Sequence, residues 1–452
     1  MNPLLSGGLI IVISLVLFAS GMPIAFALAI TALIAILIFL GPEHTELFGK
    51  LTFDSLNDFG LLAIPLFVLM GNLFGGSKAS RQLFVAGEAW LSRIRGGLAM
   101  SSVVASTVFA AMTGSSPATA AAIGRVAIPE MQARGYSARI ATGAVAAGGT
   151  LGILIPPSVT LILYGIASEQ SIGQLFAAGI IPGIVVMIMF CIWIYIAVSR
   201  DQKRLSAEQP NGESSRVIGM SEDGPVTWSW GERFSALVKV LPFGALVAAV
   251  LFVLYRGIAT PSEAAAIGVI LVALLVIVFY REHNGKELLG VLQSSVSQSS
   301  MILMITAFSA VIATVLSYLE VPQELASTIT DLELNRWAVL ILINIVLLAM
   351  GLFLPPVSIV VMVTPILLPL ILELGFDPIW FGIVMTINME MGLITPPVGL
   401  NLFVIKGIAP KIKLTDILAG STPYIVVLGL AIVLFSIFPE IVTWLPEVLY
   451  KE

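Results

Sequence analysis

Thr113-Gly114-Ser115-Ser116-Pro117 sets three hydroxyls around a glycine and just ahead of a proline, midway along an otherwise apolar stretch. Gly148-Gly149-Thr150 and the run Gly152-Ile153-Leu154-Ile155-Pro156-Pro157-Ser158 interrupt a second apolar stretch in the same way. Proline carries no amide hydrogen, so Pro156 and Pro157 leave carbonyls one helical turn back without their usual donors. Hydroxyls and freed carbonyls are neutral oxygens, and a hard monovalent cation needs several at once to replace its hydration shell. Half-helix ends add dipoles, N-termini favouring an anionic solute and C-terminal carbonyls a cation. The chemistry on offer is the binding of a small cation beside an anionic solute. An isolated serine in such a stretch would only let helices pack closely; a Gly-Ser-Ser-Pro cluster with a counterpart elsewhere in the chain argues for more.

That counterpart exists. Gly152–Pro157 returns as Gly392-Leu393-Ile394-Thr395-Pro396-Pro397, 240 positions later, and Ala111–Pro117 is echoed by Ala349-Met350-Gly351-Leu352-Phe353-Leu354-Pro355. Paired Gly/Pro interruptions in corresponding halves of a membrane protein point to a transporter's binding site. Unpaired backbone at membrane depth is tolerated only where protein or a water-filled cavity surrounds it. The second copy is less polar: its tip has no hydroxyl before Ser358, and its broken helix offers Asn388, Glu390, Thr395 and Asn401. Glu390, ionisable in an apolar segment, reads either as a functional carboxylate or as a structural one bonded to neighbouring backbone amides. Arg125 either counters an anionic solute or snorkels to the cytoplasmic face, and the second reading is preferred.

The elements that position these residues are membrane helices. Hydrophobic residues make up 58% of the 452 and charged ones 11%, against roughly 25% charged in soluble domains. Stretches of about 20 residues, enough to span, lie at 4–20, 23–41, 60–77, 140–167, 173–199, 236–255, 260–280, 288–319, 379–409 and 421–440. Two more, 98–129 and 337–374, are interrupted at Thr113–Pro117 and at Leu354-Pro355-Pro356, and are read as re-entrant hairpins. Arg93, Arg95, Arg134 and Arg139 flank the first, which places its ends in the cytoplasm; Arg336 is the lone base beside the acidic flanks of the second, which places it on the far side. Lys78, Arg81, Arg200, Lys203, Arg204, Arg281, Lys286, Lys406, Lys411 and Lys413 extend this path inside, the Glu43–Asp58 loop lies outside, and only Arg256 falls on the wrong side. The architecture predicted is all-α: about ten transmembrane helices plus two re-entrant hairpins in an inverted repeat, with both termini outside. Ser77–Arg95 alternates Leu83, Phe84, Trp90, Leu91 and Ile94 with basic residues, as an interfacial helix does. Asp201–Glu232 reads as a solvated, partly disordered linker.

Other classes lack support. The first 40 residues hold no early basic region and form two apolar segments hinged at Gly21-Met22-Pro23, unlike a cleavable signal. Cys191 is the single cysteine and excludes a disulfide framework. His44 and His283 are the two histidines, and no HExxH, GxSxG or P-loop occurs, so no enzyme or ATPase is indicated. No filter-like or charged-ring sequence suggests a channel.

At Met112–Ile128, at the run ending in Ser158, and at Asn388-Met389-Glu390-Met391-Gly392-Leu393-Ile394-Thr395-Pro396-Pro397-Val398-Gly399-Leu400-Asn401, the chain resembles the large membrane subunit of TRAP transporters, the DctM type, over essentially its whole length. The resemblance implies a multi-pass protein of the bacterial inner (cytoplasmic) membrane, importing a small carboxylate with Na+ as coupling ion. The carboxylates of the family include C4-dicarboxylates, keto acids and sialic acid. It implies a small four-helix membrane subunit and a periplasmic substrate-binding protein as partners, with the lipid bilayer around them and no nucleic acid. It further implies an elevator mechanism. A transport domain drawn from 98–199 and 337–420 would slide against a scaffold from 1–77 and 236–336, with an arm at 78–97, a cytoplasmic linker at 200–235 and a last span in 421–452. One sodium site would use Thr113, Ser115 and Ser116 with carbonyls of Gly152, Ile155 and Pro157; a second would use Gly351, Leu354, Thr395 and Pro397. Substrate would meet Thr113, Ser115, Ser158 and Asn388. Many relatives carry an acidic residue just before the proline of the second tip; here that position is Pro355, so no role of such a carboxylate transfers. The alternative is a self-sufficient sodium- or proton-coupled anion transporter of similar hairpin architecture, and dependence on a secreted receptor separates the two.

Overall fold

Proline and glycine punctuation cuts this chain into helices. The computed structural model describes residues 2–75, 77, 79–208, 218, 228–279, 285–331, 334–397 and 399–450; among them there is no strand. The first helices are α1 (Pro3–Ala19), α2 (Ile24–Ala35), α3 (Glu46–Leu56), α4 (Ala63–Gly75) and α5 (Ala79–Leu91). A four-helix unit follows: α6 (Gly97–Thr113), α7 (Ser116–Ala133), α8 (Ala138–Thr150) and α9 (Val159–Ser168). Then come α10 (Ile172–Glu208), α11 (Trp230–Tyr255), α12 (Pro261–Leu274), α13 (Gly285–Tyr318) and α14 (Val321–Asp331). The unit recurs as α15 (Arg336–Gly351), α16 (Pro356–Glu373), α17 (Pro378–Leu393) and α18 (Leu400–Ile408), before α19 (Leu414–Ile437) and α20 (Glu440–Leu449).

The recurrence extends to the caps. Ser137 accepts the Ile140 amide at the start of α8, and Asp377, 240 positions on, accepts the Trp380 amide at the start of α17. Side-chain oxygens at these N-caps satisfy amides that the first helical turn leaves free. Both breaks contain a cis bond, at Pro156-Pro157 and Pro396-Pro397. The units interlock reciprocally. α9 packs on α16, and α18 packs on α7, so the far half of each broken helix lies against the return arm of the other hairpin. The Tyr164 hydroxyl of α9 donates to the Pro378 carbonyl at 2.5 Å, and the Trp380 indole of α17 donates to Phe435 of α19.

Both hairpins and both broken helices appear where the residues predicted them. Among the described residues, six helices are long and apolar enough to cross a membrane on their own, and Pro42–Leu56 with Phe59–Gly75 forms one further pair bent by 62°. α1, α2 and α9 belong to shorter apolar helices, so not every one of the ten spans predicted is met by a single long helix; α6 and α15, also short and apolar, are hairpin arms. Other elements correct the sequence reading. The outer loop predicted at Glu43–Asp58 is largely α3, whose apolar face puts Phe48 against Phe308 of α13, with ring centroids 5.7 Å apart. The stretch 320–336 holds α14. The linker starts later than Asp201, because Lys203, Arg204, Leu205 and Ala207 are good helix formers and extend α10 to Glu208. It ends earlier than Glu232, because Ser229 and Glu232 form a capping box that opens α11. Its central part, like Lys78, Arg281, His283 and Glu333, lies outside the described residues. An amphipathic α20 also follows the last span.

The interfacial helix is present as α5, but it lies against its neighbours. Leu83 and Phe84 are buried, and Glu88 pairs with Arg134 at 2.6 Å, tying α5 to the end of α7. Large apolar side chains stay outward on α1 (Ile11, Val12, Val16), α11 (Val238, Leu241) and α12 (Ile270, Leu274). In a bilayer such faces meet hydrocarbon at no cost, and close approach of small residues drives the packing. At the contact of α8 with α19, a side chain on Gly143 would land on the Gly420 carbonyl.

Sidedness is testable on the hairpins' open ends. Ala133 and Gly375 are exposed at the turns that close α7 and α16. Single cysteines there are expected to react with impermeant thiol reagents from opposite membrane faces. Labelling of both from one face would exclude opposite insertion.

Candidate functional site

The first tip is held by backbone contact. Gly114 adopts φ +55°, in the left-handed region open to glycine, and lets the chain reverse between α6 and α7. A Cβ on Gly114 would sit 3.0 Å from the Pro157 carbonyl oxygen, and one on Gly152 would sit 2.8 Å from Ser115 C and from Ser116 N. The tip therefore rests in the break between α8 and α9, with two glycines making room. Among the described residues no hydrogen bond takes up the carbonyls of Gly152, Ile155 or Pro157. Thr113 shares its hydroxyl with Thr119 at 2.9 Å and the Phe109 carbonyl at 3.3 Å, whereas Ser115 makes no capping bond and borders a cavity. These oxygens suit a monovalent cation.

The second tip repeats the seating with fewer polar groups. A Cβ on Gly392 would lie 2.6 Å from the Gly351 carbonyl, so α15 and the break after α17 also meet backbone to backbone. The carbonyls of Gly351 and Leu354 are likewise unused among the described residues. Thr395 turns its hydroxyl back to the Met391 carbonyl at 2.5 Å. Pro396 and Pro397 are exposed, unlike Pro156 and Pro157. Phe353 stands 60% exposed at this tip, where the first carries Ser115.

A buried polar link joins the two units. Ser116 donates to Glu390 Oε2 at 3.0 Å and accepts from Asn401 Nδ2 at 2.7 Å. Glu390, left between two roles by its sequence, is thus a carboxyl bridging the first hairpin and the second broken helix.

One cavity of about 440 Å³ collects both tips and both breaks. The first tip contributes Thr113–Ala118, the second Pro355–Val357, and the breaks contribute Ile153, Val159 and Thr160 on one side and Leu393 and Leu400 on the other. Its outer wall is Val68 and Asn72 of α4 with Gln298, Met301, Ile302 and Ile305 of α13. Asn72 donates to Gln298 and to Ser295 across that wall. Neither Asn72 nor Gln298 figured among the candidates; the polar run Gln293–Ser300 inside an apolar span was the signal for the latter. Arg125 lines an adjoining hollow of about 550 Å³ between α4, α7 and α13. Ala118, Ala121, Asn72 and Gln298 border both spaces, and Arg125 lies about 12 Å along α7 from the tip at 1.5 Å per residue.

Two residues predicted for substrate have side chains engaged in the fold: Ser158 beside the first tip and Asn388 away from it. Ser158 is fully buried and caps α9, accepting the Leu161 amide. Asn388 donates to the Asn344 carbonyl and side chain, both at 2.9 Å, and so binds α17 to α15 beside a lateral apolar groove. Two residues before Glu390 on α17, its side chain lies on a different side of the helix, toward α15 and away from Ser116.

Interlocked hairpins seated in broken helices, among membrane-length apolar helices and around one shared cavity, define a multi-pass membrane transporter. Its fold is similar to that of the Alcanivorax borkumensis YdaH transporter, with a TM-score of 0.58 at 15% identity over 86% of each chain. Residues 11–441 match the family described as "Tripartite ATP-independent periplasmic transporter, DctM component", and the chain belongs to that family. It is 37% identical over 426 residues to the C4-dicarboxylate TRAP transporter large permease protein DctM of Pseudomonas aeruginosa, covering 93% of this chain and 94% of that one. It is 32% identical to the isethionate TRAP transporter permease protein DctMQ of Oleidesulfovibrio alaskensis, covering 86% of this chain and 58% of that longer protein. The family is one of transport components, not enzymes.

Proposed function

We propose that this chain is the large permease of a bacterial inner-membrane importer that moves a small carboxylate with Na+, using an elevator movement. The observation that carries the reading is the single cavity between the tips, because its two sides belong to different parts of the fold. The hairpins and breaks would move as one body and α4 with α13 would form the fixed wall. Thr113, Ser115 and Ser116 with carbonyls of Gly152, Ile155 and Pro157 would hold one sodium ion; Gly351, Leu354, Thr395 and Pro397 would hold another. Substrate would lie between them at Thr113 and Ser115, with the cationic Arg125 in the adjoining hollow supporting an anionic solute. The names of the relatives support a carboxylate or sulfonate. A small membrane subunit and a periplasmic receptor would complete the assembly; the longer DctMQ relative is consistent with a fused small subunit.

The test is the sodium dependence of uptake in Ser115→Ala. Loss of one ligand oxygen worth ~1.4 kcal/mol shifts the half-saturating sodium concentration roughly tenfold for a single site. An unchanged sodium dependence would assign Ser115 to packing and remove the first site from the proposal.

A further inference from the structure

We propose that Glu390 and Asn401, joined through Ser116, form a monovalent-cation site that spans the two repeat units. The proposal rests on the sodium-coupled reading above and shares Ser116 with its first site, but it adds two ligands that reading does not use, Glu390 and Asn401. Each of the two sites implied by the family resemblance draws its oxygens from one unit alone. This one takes Ser116 from α7, Glu390 from α17 and Asn401 from α18.

All three side chains are buried: Ser116 and Asn401 are 0% exposed and Glu390 1%. They converge on one hydroxyl, which has one hydrogen to give and lone pairs to receive. Ser116 spends that hydrogen on Glu390 Oε2 and receives from Asn401 Nδ2. Glu390 Oε1 and Asn401 Oδ1 are then left without a hydrogen-bond partner among the described residues. Both are acceptors, each one carboxyl or amide width from the same hydroxyl. Two buried oxygens without a hydrogen-bond partner, one of them on an ionisable carboxyl, offer a cation its ligands.

The surrounding elements do not supply one as a side chain. Arg139 of α8 pairs with Asp416 of α19. Lys406 of α18 donates to the carbonyls of Pro410 and Ile412. Arg336 of α15 lies over Trp337 and Phe376, and Arg125 of α7 lines the hollow beside α4 and α13. The Ile153 backbone amide faces the carboxyl and carries no net charge. Gly149 allows the close packing around this link: a Cβ there would meet Ala120 Cβ at 2.9 Å, the Ser116 carbonyl at 3.2 Å and Asn401 Nδ2 at 3.3 Å. The other unit has no equivalent, because the position 240 residues before Glu390 is Thr150, whose hydroxyl is spent on the Ala147 carbonyl. A cation here would fasten the first tip to the second broken helix, so its occupancy would couple the two units.

The experiment is equilibrium binding of radiolabelled Na+ to the purified full-length chain in lipid nanodiscs, with infrared difference spectra between sodium and choline media. The wild type is expected to bind Na+ and to show a perturbed carboxylate band. Glu390→Gln keeps the shape and the bond from Ser116, and should raise the Kd at least tenfold and abolish that band; Asn401→Leu should also weaken binding. Glu390→Asp should restore part of it. Sodium binding by the wild type with no carboxylate band, or a Kd within twofold of wild type in both Glu390→Gln and Asn401→Leu, would overturn the site and leave Glu390 as a neutral brace. Absence of any sodium binding by the wild type would overturn the sodium-coupled reading itself. The wild-type spectrum decides even where a variant fails to fold.

Discussion

Proteoliposomes holding this chain and its small membrane subunit, under an inward sodium gradient, are expected to accumulate carboxylate only when the cognate receptor is added outside. Without the receptor, uptake should stay at the level of empty vesicles. The elements read as facing outward, α3, the turn at 169–171 and α14, are short. They hold no folded domain that could select a solute. The cavity between the tips is largely apolar on its α13 side, with Met301, Ile302 and Ile305. Such walls discriminate weakly among small polar anions, because specificity comes from a few placed polar groups. Selection then falls to a partner that docks and delivers. Comparable uptake with and without the receptor would leave the self-sufficient anion transporter as the better reading.

Gly152→Ala and Gly392→Ala are each expected to reduce the initial uptake rate by on the order of 100-fold, the cost of roughly an ångström's misplacement at a reacting or binding centre. A methyl at Gly152 meets Ser115 and Ser116 backbone at 2.8 Å, and one at Gly392 meets Gly351 backbone at 2.6 Å. Backbone cannot rotate aside as a flexible side chain can, so the tip must lift out of the break. Lifting the first tip also pulls Ser116 from Glu390 and Asn401. Gly244→Ala in α11, where nothing lies within 4 Å, is the control and should transport normally. Equal amounts of each variant in the membrane separate loss of transport from loss of folding. Uptake within twofold of wild type in both variants would show that seating the tips is not required.

The residues by themselves determined the hairpins, the broken helices and their repetition. Those features rest on local chemistry: Pro156 and Pro396 remove amides from their own helices, Gly114 permits its own φ, and Ser137 and Asp377 cap the amides just ahead of them. A 240-residue echo of such signals is visible without any contact being known. Local signals also favour α3 and the last turns of α10, because Glu46, Lys50, Lys203 and Arg204 are good helix formers even where the apolar pattern thins out. Only the tertiary structure decided which face of each helix meets which partner. Asn388 and Glu390 are two residues apart on α17, so their side chains diverge around the helix. One ties α15, and the other reaches Ser116, 274 positions away. Asn401 reaches the same hydroxyl across 285 positions. Nothing within a helix-length window encodes such pairings. They follow from the reciprocal packing of α9 on α16 and α18 on α7, which a chain acquires only when its two halves bury their small-residue faces against each other.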